Sequence, residues 1–255
     1  MASTLHPMAQ KFKQINMKHL IFIILLLSSL QLAAQSTQKA HNIDKVFSEN
    51  IVVSHNYLLH VPKDKRHAVN GKLPLIVFLH GAGERGDNIE LLKVHGPPKK
   101  IDKGEDLPFI VLSPQCKENT RWNPQTIKIL IDQIITNYPV DDKRIYLTGL
   151  SMGGYGTWDL AIKYPHKFAA IAPICGGSDV HAWDASMHLT DMPIWAFHGA
   201  MDEVVPVERT TRILQALKKA GSDAKLTIYP DANHDSWTAT YDNTELYRWF
   251  LKHSN

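Results

Sequence analysis

The chain is predicted to be an α/β protein with a mostly parallel sheet and helices on both faces. Three observations predict this. Strand-like and helix-like segments alternate from Asn56 onward, the order that builds parallel strands through right-handed crossovers. Several strand candidates are continuous apolar runs, as expected when helices cover both sheet faces. Between one such strand and the helix-like run after it stands Gly149-Leu150-Ser151-Met152-Gly153. A Gly-x-Ser-x-Gly stretch in that setting turns so sharply that the serine is strained and only small flanking residues escape a clash.

Taken in order, the first segment lies apart from the fold. Lys18-His19 precedes the apolar run Leu20–Leu27, and the small residues Ala33 and Ala34 follow. A basic start, a short apolar stretch and a small-residue exit describe a secretory leader. The run is about half the roughly 20 residues a spanning helix requires. We therefore expect a leader within residues 1–35, cleaved near Ala34, and a single catalytic domain over 36–255. Strands are predicted at Tyr57–Val61, Leu75–His80, Phe109–Ser113, Ile145–Thr148, Ala169–Ile174, Ile194–His198 and Lys225–Tyr229. One helix carries Ile127, Leu130, Ile131, Ile134 and Ile135 on one face, with Asn123 as its cap and Pro124 in its first turn. A second runs from Gly153 to about Tyr164 and stops before Pro165. A third, about Val207–Ala220, ends at Gly221, and a last one holds Leu246, Tyr247, Phe250 and Leu251.

In open parallel sheets, sites form at the carboxyl ends of strands. Ser151 stands there and needs a base, because a free hydroxyl is a weak nucleophile at neutral pH. Of the 14 histidines, His234 follows the last strand in a polar loop. Asp202 follows the penultimate strand and is the expected acid, with Glu203 and Asp231 as competitors. The order Ser151, Asp202, His234 is the chain order of an α/β-hydrolase triad. Oxyanion donors are expected from the N–H of Met152 and that of Ala82 (Gly83 is the alternative), where His80-Gly81-Ala82-Gly83 ends a strand. His80 and His198 are read as structural. Trp122 and Trp237 are candidate walls of the substrate cleft, with loop packing as the competing reading, and Gln115 is a further substrate-binding candidate. Glu84 and Arg85 either touch substrate or hold the loop. Trp158, Trp195 and Trp249 are assigned to the core.

These stretches, with Leu79–Asn88, Ser113–Cys116 and Ala172–Gly177, resemble secreted bacterial esterases of the α/β-hydrolase superfamily, of the feruloyl-esterase and acetylxylan-esterase kind. Dienelactone hydrolases, polyhydroxybutyrate depolymerases and the prolyl oligopeptidase catalytic domain are more distant relatives. The likeness runs from about Tyr57 to the C-terminus. It implies a serine carboxylesterase acting through an acyl-enzyme without a cofactor, on an ester carried by a polysaccharide. A prolyl-oligopeptidase-like peptidase or a general short-chain esterase is the alternative. A peptidase of that type would carry a propeller, and too few residues precede Tyr57 here to build one. No large lid is expected, since Cys175–Pro193 is short and polar.

Composition excludes little but is consistent. A net charge of +3 gives no reason to invoke nucleic acid or an anionic membrane surface. Apolar residues at 44% suit one sizeable core. No metal site is evident, as His181 and His188 lack zinc-ligand spacing. Cys116 and Cys175 are the only cysteines. They follow strands about three spacings apart, roughly 14 Å, whereas a bridge needs Cα atoms within about 7 Å. Pairing would require the loops to close that gap, and two buried thiols are the alternative.

Overall fold

The computed structural model describes residues 37–48, 51–178 and 182–255. The proposed leader and His181 lie outside them. Among the described residues, eight strands form one sheet, β1 (Gln38–Ser48), β2 (Ile51–His60), β3 (Leu73–Leu79), β4 (Ile110–Pro114), β5 (Val140–Leu150), β6 (Ala170–Ile174), β7 (Trp195–Gly199) and β8 (Lys225–Tyr229). Their order is β1-β2-β4-β3-β5-β6-β7-β8. The pairs β1/β2 and β2/β4 are antiparallel, and every later pair is parallel. This is the α/β-hydrolase fold. All seven strands expected from the apolar runs are present. The added strand, β1, is polar along much of its length (Gln38, Lys39, His41, Asn42), because a sheet edge asks for few buried side chains.

Helices are α1 (Gly96–Asp102), α2 (Pro124–Asn137), α3 (Met152–Lys163), α4 (Ala182–His188), α5 (Glu208–Lys219), α6 (Trp237–Asp242) and α7 (Thr244–Phe250). Alternate residues of β3 divide the core. Leu75, Val77 and Leu79 face one cluster with Ile127, Leu130 and Ile134 of α2, Trp158 of α3 and Leu214 and Leu217 of α5. Ile76 and Phe78 face another with Ile101 of α1, Tyr241 of α6 and Leu246 and Phe250 of α7. The two-residue period of a strand thus separates two helical layers. Asn123 caps α2 as expected: its side-chain oxygen accepts from Gln125 N–H at 2.9 Å. Trp158 and Trp249 are buried, and Trp195 is half-buried. Between Cys175 and Pro193 the expected polar stretch contains α4, which packs against α3 and α5. Among the described residues, no helix is long and apolar enough to cross a membrane.

Cys116 and Cys175 are both free and buried. Their strands, β4 and β6, are separated by β3 and β5, and burial pushes both thiols up to about 12.

Candidate active site

Ser151 sits between β5 and α3 with φ 51° and ψ −116°, a positive-φ conformation that L-residues rarely adopt. The flanking glycines are required by proximity. A Cβ on Gly149 would lie 2.4 Å from the carbonyl oxygen of Gly153, and one on Gly153 would lie 1.9 Å from that of Leu79. The hydroxyl so presented meets the loop after β8: Ser151 Oγ is 2.9 Å from His234 Nε2. The other ring nitrogen, Nδ1, is 2.8 Å from Asp202 Oδ2. A carboxylate only accepts, so Nδ1 carries the proton and Nε2 is free to accept from the serine. The loops bearing acid and base are tied together, as Ala200 N–H donates to Tyr229 O and Met201 N–H to Ala232 O. Glu203 and Asp231, the competing acids, are exposed.

Asp202 is buried and fully engaged. Its Oδ1 accepts from Val204 N–H at 3.0 Å and Val205 N–H at 2.8 Å. Its Oδ2 also lies 3.2 Å from Nε2 of a second imidazole, His198. Sequence reasoning made His198 merely structural, yet it touches the acid. The same Nε2 faces Val205 O at 2.8 Å, and Nδ1 faces Thr210 Oγ1 at 2.8 Å. Thr210 has one proton and donates it to Gly176 O, so its oxygen accepts from His198 Nδ1–H. Both ring nitrogens then face acceptors. The His-Gly-x-x-Asp spacing, i to i+4, was the available signal.

Met152 is the first residue of α3 and Ala82 the first of a 3-10 turn, Ala82–Glu84. Neither N–H has a partner within its own helix, and both residues border one cleft. The loop holding Ala82 is braced from several sides. His80 Nδ1 donates to Gly81 O at 2.5 Å, and its Nε2 accepts from Cys116 N–H at 2.9 Å. Burial holds this imidazole down to about 4, in keeping with a neutral ring that donates at one nitrogen and accepts at the other. Trp122 Nε1–H donates to His80 O at 3.1 Å. Glu84 is buried, with carboxylate oxygens 3.4 Å from His95 Nε2 and 3.7 Å from His80 Nδ1, and burial raises it above the usual carboxylate range.

Of the three substrate-facing candidates, Gln115 requires correction. Gln115 does not reach the cleft: it is 1% exposed, and its amide donates to Glu84 O and Asn88 O. Loop carbonyls with no strand partner draw the side chain inward. Trp237 packs edge-on against the His234 ring, centroids 5.2 Å apart, and its Nε1–H donates to His95 Nδ1. It borders a small hollow with His95 and Lys99, apart from the main cleft. Trp122 does line the cleft while bracing the loop.

Among the described residues, one group could hold a metal ion: Cys175, Asp202 and His234, with donor atoms within 4.8 Å of one another. The last two are already hydrogen-bonded to each other. The arrangement can remove the Ser151 proton through His234 while Asp202 steadies the resulting cation, with helix-end N–H groups beside the cleft.

The sheet order and the Gly-x-Ser-x-Gly turn at its carboxyl edge define an α/β-hydrolase. More narrowly, the chain belongs to the phospholipase/carboxylesterase family, whose model matches residues 111–245. It is 29% identical over 192 residues to a bifunctional acetylxylan esterase/xylanase of Neocallimastix patriciarum, a match covering 69% of this chain and 26% of that protein. The chain thus spans about a quarter of that relative's length. Among solved structures, a thermostable esterase shares 34% identity with a TM-score of 0.73, covering 86% of this chain and 63% of that one. A ferulic acid esterase shares the fold at 17% identity and TM-score 0.62, covering 86% and 98%.

Proposed function

We propose that the chain is an exported serine carboxylesterase that hydrolyses acyl esters, acetyl or feruloyl, on plant polysaccharide. In this reading residues 1–35 are the leader and 36–255 a single catalytic domain. The observation that carries the proposal is the hydrogen-bonded line from Ser151 Oγ through His234 to Asp202, 2.9 and 2.8 Å long.

The steps follow from that line. Ser151 attacks the ester carbonyl as His234 Nε2 takes its proton, and the carbonyl oxygen gathers charge toward the N–H groups of Ala82 and Met152. Each such donor is worth about 3–4 kcal/mol in other hydrolases. Collapse breaks the ester bond, His234 returns the proton to the departing alcohol, and an acyl-serine remains. Water, deprotonated by the same imidazole, then releases the acid. Membership of a carboxylesterase family supports ester over amide as the target. The acetylxylan esterase/xylanase relative supports a polysaccharide ester.

The test is a panel of p-nitrophenyl acetate, methyl ferulate and acetylated xylan. Wild-type protein is expected to cleave at least the first two, and Ser151→Ala to lose the activity by about 10⁴-fold or more. Cleavage of proline-containing peptide amides with no ester turnover would overturn the proposal.

A further inference from the structure

Beside Ser151 lies a cleft of about 480 Å³ with an apolar side, including Trp122, Met152 and Val205, and an arginine-rich side of Arg85, Arg121 and Arg209. One carboxylate, Asp159, borders the same space and accepts from Ser178 Oγ at 2.6 Å. An acetyl ester of a neutral sugar has no charge for this wall to meet.

Two of the cations meet no carboxylate partner among the described residues. Arg85 Nε–H donates to Ala82 O at 2.9 Å and its Nη1 to Thr120 O at 3.4 Å. Both acceptors are uncharged carbonyls, so they aim the guanidinium and leave its charge intact. Arg209 stands exposed in the first turn of α5. Among the described residues its guanidinium has no hydrogen-bond or ion-pair partner. A cation at a helix N-terminus opposes the helix dipole, so this position is not explained by helix stability. Two guanidinium forks bordering one partly apolar cleft match a carboxylate attached to an apolar or ring body.

We propose that the preferred ester carries a second, free carboxylate, which Arg85 and Arg209 bind while the ester bond lies at Ser151. This deepens the esterase reading and rests on it for the position of the reacting bond. The carboxylate belongs either to the alcohol, as in a uronate-bearing saccharide, or to the acid, as in a dicarboxylic half-ester.

Two matched pairs distinguish the sources. The alcohol side is read with 4-acetoxybenzoate against its methyl ester, and the acid side with mono-p-nitrophenyl adipate against its methyl ester. In one pair the charged substrate is expected to show a kcat/KM advantage of about tenfold or more, expressed in KM. That advantage should fall about tenfold in Arg209→Gln and in Arg85→Gln, and shrink between about 0.05 M and about 1 M NaCl. Arg248→Gln, on the exposed face of α7, should keep it. Equal or better cleavage of the neutral ester in both pairs, or an advantage that survives both cleft substitutions, would refute the proposal. A separate readout guards against failure of the esterase reading itself. Calorimetry on Ser151→Ala should show monomethyl adipate or 4-hydroxybenzoate binding about tenfold more tightly than in Ser151→Ala/Arg209→Gln. Equal affinity there sinks the anion site, whereas absent turnover with intact binding sinks only the esterase reading.

Discussion

Each oxygen of Asp202 has a separate task. Oδ1 is fixed by two backbone N–H groups, while Oδ2 faces both His234 and His198. Asp202→Asn should keep the shape and lose the tautomer control of His234, lowering kcat by about 10³–10⁴-fold with little change in thermal midpoint. His198→Leu tests the second imidazole. The substitution removes the 3.2 Å contact to Asp202 Oδ2 and the ring's contacts with Val205 O and Thr210 Oγ1, so the acid is positioned less firmly. The kcat for p-nitrophenyl acetate should therefore fall by about tenfold with KM little changed, whereas a His198 that does not act on the acid would leave kcat in place. Residue types at strand ends made Ser151, Asp202 and His234 legible in the sequence. Gln115 and Trp237 were not, because loop position says nothing about which way a side chain folds. Gln115 turned inward to serve two loop carbonyls, and Trp237 turned onto the imidazole.

At the scale of elements, the elbow and the caps differ in how much they tolerate. A methyl on Gly153 meets backbone, the Leu79 carbonyl at 1.9 Å, which cannot swing aside. Gly153→Ala should cost more than about 3 kcal/mol in urea unfolding, or prevent folding. Asn123→Ala removes the α2 cap and should cost only about 1 kcal/mol. Similar small losses for both would contradict the packing described for the elbow. Elements with a strong apolar pattern were legible, as in β3, which is buried at every position, whereas the 11-residue β1 is polar and was not. The seven-residue helices α1 and α4 were not. Helix α1 opens Gly96-Pro97-Pro98 and buries only Ile101 beyond those three, a pattern that reads as loop.

For the molecule as a whole, buried histidines set the response to acid. Burial holds His80 down to about 4 and lowers His55, His60 and His95 below the ordinary imidazole value. Each binds its proton more readily when the chain is unfolded. Their stabilisation is complete above about pH 6.5 and is lost as pH falls from there toward about 4. His80 alone accounts for about 3 kcal/mol across that window. Glu84, raised by burial, works in the opposite sense and loses stability as pH rises above the usual carboxylate range, so it offsets part of the change. Urea unfolding at pH 7 and pH 4.5 should show a clear loss of stability in acid, reduced in His80→Gln. A flat profile would contradict the neutral, bridging role given to that ring.

The central claim is that Ser151 is the atom-donating nucleophile at the elbow, activated by His234. Treating the protein with a fluorophosphonate and mapping the adduct by mass spectrometry tests this most directly. The expected result is one label per chain on Ser151, slowed by about 10²-fold or more in His234→Ala. A label on another residue, or ester hydrolysis that persists in Ser151→Ala, would contradict the account.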